Sequence, residues 1–228
     1  MKITVVVPVL NEDKILRGSL SRLHLSMDEE LVVVDGGSKD DSVSIAREFT
    51  ENVFSSKNGK GRGFAMNVGA QNAGGEILLF LHADCELPDK AFDIIREVLS
   101  DNSVSAGAFD IRIASPELRF RVIEAGANLR SRSTSIPYGD QGMFMKKNCF
   151  EKVGGFPDLP IMEDIEISRK LRNAGKIVFV KPPLMTSARR WLKEGSLYTT
   201  LRDWVLVMLY YLMRAAPEKL KAYYKDIR

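Results

Sequence analysis

Acidic residues recur where the apolar runs of this chain stop. Ile3-Thr4-Val5-Val6-Val7 leads into Pro8-Val9-Leu10-Asn11-Glu12, and Leu31-Val32-Val33-Val34 into Asp35-Gly36-Gly37-Ser38. Ile77-Leu78-Leu79-Phe80-Leu81 leads into His82-Ala83-Asp84. In an open α/β sheet, ligands bind beyond the carboxyl ends of the strands. Mg²⁺ takes oxygen ligands, commonly one or two carboxylates completed by substrate phosphates, so Asp84 beside a diphosphate suffices to hold a divalent metal, Mg²⁺ or Mn²⁺. Asp35 can accept from a base or a ribose, with Gly36 letting the backbone close on the ligand. The basic, glycine-rich stretch 57–63 sets Lys60 and Arg62 at a helix start, where N–H groups and cations suit a diphosphate. Its glycine spacing fits neither the dinucleotide fingerprint nor the Walker pattern. Glu163-Asp164 opens a helix-type stretch, and a carboxylate aimed into a cleft is what deprotonating an alcohol requires. Taken singly, each feature also has a plainer reading as a turn, a helix cap or a solvated loop. The two histidines, His24 and His82, offer no Ser/His/Asp triad.

The elements that must position these residues alternate. Continuous apolar, β-branched runs predict buried strands over 3–8, 31–34, 52–55 and 77–81. Helical spacing predicts helices over 13–25, 38–49, 62–73 and 89–99, with capping candidates in Ser38-Lys39-Asp40-Asp41 and Pro88 ahead of the fourth. A βαβαβαβ order of this kind predicts a mostly parallel sheet with right-handed crossovers. Later strands are expected over 106–113, 142–146 and 176–180, the last stopped by Pro182-Pro183. Helices are expected over 116–132, with Leu118, Val122, Ile123 and Leu129 on one side, and over 163–173. A loop should fill 133–140, and residues 195–225 should be mostly helical with a break at Pro217.

Bulk composition narrows the classes. The 228 residues are 45% apolar and 28% charged, ordinary for a folded soluble protein. A formal charge of +3 does not imply nucleic acid. Cys85 and Cys149 lack metal-site spacing and read as reduced thiols of a cytoplasmic protein. The sequence enters a strand at once without a basic, then apolar leader, so no signal peptide is expected. No stretch reaches the ~20 apolar residues needed to span a bilayer.

Together these segments resemble the GT-A type of family-2 glycosyltransferases over nearly the whole chain. Pro8-Val9-Leu10-Asn11-Glu12 resembles the family's nucleotide-binding opening, and Asp35-Gly36-Gly37-Ser38-Lys39-Asp40 its Asp-Gly-Ser-x-Asp turn. The resemblance implies a Rossmann-like α/β fold in which Pro8, Leu10, Asn11, Glu12, Asp35, Gly36, His82 and Ala83 surround the nucleotide. It implies Asp84 as the metal ligand and Glu163-Asp164 as the catalytic pair, Asp164 being the base. Arg189-Arg190-Trp191 resembles the Arg-Trp portion of the Gln-x-x-Arg-Trp motif. With Tyr138-Gly139-Asp140-Gln141 it is similar to a small bacterial subgroup called "transferase 2, radical-SAM/selenodomain-associated". Asp140, Gln141, Arg189, Arg190 and Trp191 are thereby expected around the acceptor and diphosphate. Two departures stand out: His82 replaces the first Asp of Asp-x-Asp, and the Gln of Gln-x-x-Arg-Trp is missing, which argues against a processive polymer synthase.

The implied reaction is an inverting transfer of a sugar from a nucleotide-diphosphate donor, a UDP-sugar, to an acceptor hydroxyl. The competing readings are a sugar-phosphate nucleotidyltransferase, which lacks support without a glycine-rich loop after the first strand, and a non-catalytic nucleotide-sugar-binding module. By the same reading, residues 1–194 form the transferase domain, nucleotide half 1–100 and acceptor half 101–194, and 195–228 a helical extension. In that extension Leu201, Trp204, Val205, Met208, Leu212 and Ala215 share a face, followed by Arg214, Lys219, Lys221, Lys225 and Arg228. Such a helix either packs on the domain or a second subunit, the favoured reading, or lies on the inner face of the membrane, which would suit a lipid-linked acceptor.

Overall fold

The computed structural model describes residues 1–57, 61–213 and 215–223. Lys60, Arg214, Lys225 and Arg228 lie outside the described residues, as does the side chain of Leu212. An eight-stranded sheet, in the order β3-β2-β1-β4-β7-β6-β8-β5, organises the chain. Its first part is parallel, as the alternating pattern requires: β1 (Ile3–Val9) lies between β2 (Glu29–Asp35) and β4 (Ile77–Phe80), and β3 (Val53–Ser55) flanks β2. These strands are continuous apolar runs because both faces are covered. On one face Val5, Val7, Leu79 and Ile3 pack with Leu16 of α1 (Asp13–Ser21), Ile45 of α2 (Ser42–Arg47) and Ile95 of α4 (Ala91–Ser100). On the other, Val6, Val34 and Leu78 meet Met66 of α3 (Gly61–Gln71), Phe150 of α6 (Lys147–Lys152) and Ile167 of α7 (Glu163–Ala174). Helix α3 presses so close that a Cβ on Gly69 would stand 2.2 Å from Val6 Cγ1, so only glycine fits there.

The second part is mixed. Strand β7 (Met143–Lys146) runs antiparallel beside β4, β6 (Val104–Ile113) follows it, β8 (Lys176–Thr186) is parallel to β6, and β5 (Cys85–Glu86) pairs antiparallel with the end of β8. Strand β8 does not stop at Pro182-Pro183, contrary to expectation. Its pairing with β6 is interrupted between Phe109 and Ile111 and resumes at Leu184, while β5 reaches only Met185 and Thr186. The prolines therefore occupy the part of the strand where a ladder N–H is not required, Pro182 exposed and Pro183 partly so.

Helix α5 (Leu118–Thr134) is turned the other way from its apolar pattern. Leu118, Val122 and Leu129 are 82%, 74% and 69% exposed, while Phe120, Glu124 and Ser131 are buried. The irregular stretch of β6 explains this. Asn128 accepts from Ile111 N–H at 2.9 Å and donates to Ile111 O at 3.1 Å, and Glu124 accepts from Ile113 N–H. The helix buries Glu124 and Ser131 beside Phe120, with Ile123 partly buried in the same cluster, because backbone groups near the β6 irregularity need partners there.

The tail divides into α8 (Arg189–Glu194), α9 (Ser196–Met213) and α10 (Pro217–Lys221). Pro217 opens α10 at its first turn, where a missing N–H costs nothing. Leu206 packs with Ile161 and Leu220, and Tyr210 donates from its hydroxyl to Glu166 at 2.7 Å. The packed side of α9 thus holds residues off the predicted face, while Leu201, Trp204, Val205 and Met208 of that face are each about half exposed. Among the described residues no helix is long and apolar enough to cross a membrane.

Candidate active site

A cleft of about 1010 Å³ opens over the carboxyl ends of β1 and β4. Pro8, Leu10, Glu12, Gly36, Arg62, His82, Ala83 and Asp84 line one side; Asp140, Gln141, Glu163, Asp164, Arg189, Arg190 and Trp191 complete it. The strand ends thus bring together most of the residues expected at the site. Asn11 and Asp35 do not form its walls. Asn11, with φ +52°, accepts from Lys39 N–H at 2.8 Å, while its own N–H donates to Ser38 Oγ at 2.9 Å. Asp35 accepts from Gly37 N–H at 2.9 Å and Ser38 N–H at 3.0 Å. Asp40 accepts from Asp13 N–H at 3.1 Å and Ser42 N–H at 3.0 Å, so one carboxylate serves the first turns of both α1 and α2. These groups hold the loops after β1 and β2 to each other.

Asp84 is fixed by the strand pairing next to it: β5 pairs with β8, and Ser187 N–H donates to Asp84 O at 3.1 Å. Its side chain is 29% exposed and lies 3.5 Å from Arg189, whose guanidinium grips Glu12 with two bonds of 2.7 and 3.1 Å. Among the described residues no three His, Cys, Asp or Glu side chains gather to hold an ion. A metal would therefore rest on Asp84 with its other ligands drawn from the diphosphate, and the exposed carboxylate fits that mode. Cys85, buried behind Asp84, has its thiol pushed well up by burial and by the charges of Asp84 and Asp140, so it is no nucleophile.

On the facing wall, Asp164 stands in the first turn of α7. Its Oδ2 accepts from Gly139 N–H at 3.1 Å and its Oδ1 from Ile165 N–H at 2.9 Å. Packing around the group, then the charge of neighbouring Glu163, pushes its pKa up to about 7; Arg62 and the two N–H donors oppose them. Glu163 is buried and paired with Arg62 at 3.5 Å, so it acts beneath the surface of the site. His82 is held well below its ordinary pKa, by burial and then by Arg62 and Arg190, so it is a neutral imidazole at pH 7. Its ring fills the space beside Gly139, where a Cβ would come within 2.7 Å of it. His82, expected at the nucleotide, thus stands against the turn that holds Asp164.

Gln141 is almost wholly buried and works as a clamp. Its Oε1 accepts from Ser131 Oγ at 2.8 Å and Tyr138 N–H at 2.9 Å, and its Nε2 donates to Phe109 O at 3.1 Å. Asp140 beside it has its carboxyl raised, chiefly by burial. Trp191 packs edge-on to Phe120 at 6.4 Å. Sequence patterns do not single out Arg130, yet its guanidinium lies 3.7 Å from the centre of the Tyr138 ring at the cleft wall. Only its helical position opposite the Tyr138-Gly139-Asp140-Gln141 segment marks it, and that opposition is a tertiary fact.

A curled, mixed sheet with strand-end carboxylates lining one cleft is the architecture of the GT-A transferases. The sequence model for "Glycosyl transferase family 2" matches residues 4–155, and the chain belongs to that family. It is 25% identical over 212 residues to "Probable glycosyltransferase YdaM" of Bacillus subtilis (strain 168), covering 81% of this chain and 50% of that protein. It thus spans about half the length of that relative. Among solved structures it is similar to the mannosyltransferase PcManGT from Pyrobaculum calidifontis in complex with GDP-Man and Mn²⁺, with TM-score 0.70 and 22% identity over 97% of this chain and 69% of that one. It is also similar to S. aureus TarS 1-349 in complex with UDP-GlcNAc, with TM-score 0.65 and 18% identity over 92% and 67% of the two chains.

Proposed function

We propose that this cleft transfers a sugar from a nucleotide-diphosphate donor, a UDP-sugar, to an acceptor hydroxyl with inversion at the anomeric carbon. The observation that carries the proposal is Asp164: a carboxylate on the cleft wall, held by two N–H donors, with its pKa raised to about 7. A general base works best when its pKa lies near the operating pH. Asp164 takes the acceptor proton as that oxygen attacks from the face opposite the departing nucleotide. Gly139 N–H keeps the carboxylate aimed, and Glu163 keeps its pKa high. Arg62 and Arg190 offset charge growing on the departing diphosphate. Arg189 joins them by exchanging its bonds to Glu12 for the phosphates.

Asp84 would hold Mg²⁺ or Mn²⁺ together with the diphosphate; when bound, the ion supplies Lewis-acid stabilisation of the leaving group. The solved relatives carrying UDP-GlcNAc or GDP-Man support a nucleotide-sugar donor. The two free thiols suit a cytoplasmic setting. Calorimetric titration with UDP, GDP and CDP, each with Mn²⁺ or with EDTA, tests the reading. Metal-dependent binding of UDP that Asp84→Ala abolishes is the expected result. Binding of no nucleotide would reject the assignment.

A further inference from the structure

The turn beside Asp164 is gripped from three sides. Gln141 Oε1 accepts from Tyr138 N–H at 2.9 Å, and Asp164 Oδ2 accepts from Gly139 N–H at 3.1 Å. The third grip is the ring of His82. A Cβ on Gly139 would come within 2.7 Å of its Cε1 and 2.8 Å of its Nε2, so no methyl group fits between ring and turn. Gly139 does not have a positive φ, so close approach rather than backbone conformation calls for glycine there. The end of β4 delivers the ring: Leu81 N–H donates to Val6 O at 3.0 Å, and Cys85 N–H donates to His82 O at 3.1 Å. The ring itself is not held by a bond at Nε2, which is buried without a hydrogen-bond partner among the described residues. A buried nitrogen without a partner is costly, which points to a ring kept for the space it fills.

We propose that His82 is a positioning residue: its ring wedges against Gly139, keeps that N–H aimed at Asp164, and keeps water from entering between the turn and the carboxyl. The proposal rests on Asp164 being the base. His82, Gly139 and Asp164 all line the cleft, so water stands ready to take any space the ring leaves. The sign of the effect follows from the surroundings of Asp164. Burial is the leading cause of its raised pKa, ahead of Glu163, while the Gly139 bond opposes it least, behind Arg62 and Ile165 N–H. Water admitted past a missing ring therefore lowers the pKa, even though the loosened turn gives up one donor.

Carbonyl ¹³C NMR titration of Asp164 in the aspartate-labelled full chain tests it, with each variant's fold checked by a cooperative urea transition. The wild-type midpoint is expected near 7. His82→Ala should lower it by roughly one unit or more. His82→Asn, also shorter than the ring, should do the same and carries the test if His82→Ala does not fold. His82→Leu, which refills the space without either nitrogen, should stay near 7. UDP binding with Mn²⁺, followed by calorimetry, should be unchanged in all three. An unmoved midpoint in the folded Ala and Asn variants would overturn the proposal. So would a fall in His82→Leu as large as in His82→Ala, which would give the role to the nitrogens. Loss of UDP affinity with the midpoint unmoved would return His82 to the nucleotide. A wild-type midpoint near 4 would sink Asp164 as the base and the role of His82 with it. A wild type that titrates near 7 and binds no UDP would sink the nucleotide site alone, and the shift in His82→Ala would still decide the role of His82.

Discussion

The two walls of the cleft are built on opposite principles. On the side of β1 and β2, polar side chains accept from backbone N–H groups of the strand-end loops: Asn11 from Lys39, Ser42 from Glu12, Asp40 from both Asp13 and Ser42. On the other side, α5 and α9 bring exposed Val122, Leu197 and Trp204 to the cleft. A wall backed by loops bonded to each other presents a fixed cradle. Exposed Val122, Leu197 and Trp204 offer little fixed polarity there, which suits contact by area rather than by hydrogen bonds. Asp164, the proposed base, stands in the first turn of α7, and one of its N–H donors comes from the turn at Gly139.

The contrast breaks most sharply at Asp164. Asp164→Asn should lower turnover, read as nucleotide release from the donor, by ~10²–10⁴-fold while leaving nucleotide affinity intact. An equal loss of affinity would place the residue in the donor site instead. The same variant has a stability signature. Since the folded state holds this carboxyl above its ordinary 3.8, up to about 7, ionising it disfavours folding as pH rises across that span. Asp164→Asn should therefore melt higher than wild type at pH 8 and gain nothing below pH about 4.

Stability should fall next at the buried clamp. Gln141→Leu strands Tyr138 N–H and Phe109 O, and should cost about 2–4 kcal/mol in urea unfolding. In the loop after β2 Asp40→Ala removes the acceptor for two helix starts and should cost ~1–2 kcal/mol. At the other extreme Leu201→Glu, on the exposed face of α9, should change stability by less than ~0.5 kcal/mol. A large loss there would mean that α9 is more deeply packed than its exposure indicates.

The strand-end residues are legible in the sequence because apolar runs locate strand ends, and strand ends locate clefts: Pro8, Glu12 and Asp84 all line this one, with Asp164 facing them from the start of α7. What the runs do not encode is which loop a polar side chain will bond. Asn11, Asp35 and Gln141 read as ligand contacts in the sequence, yet their partners are Lys39, Gly37 and Phe109. Two of these bonds close within the strand-end loops, and that of Gln141 needs the second part of the sheet assembled. The apolar spacing of α5 misleads for a related reason. Asn128 and Glu124 serve an irregularity in β6 that leaves no mark in periodicity. The continuation of β8 past Pro182-Pro183 depends on the same irregularity.

Carbonyl ¹³C NMR titration of protein labelled at aspartate tests the central claim most directly, with the Asp164 resonance identified by its disappearance in Asp164→Asn. A midpoint near 7 is the predicted result, since packing and Glu163 outweigh Arg62 and the two N–H donors. A midpoint near 4, the ordinary aspartate value, would contradict the assignment of Asp164 as a base poised for neutral pH.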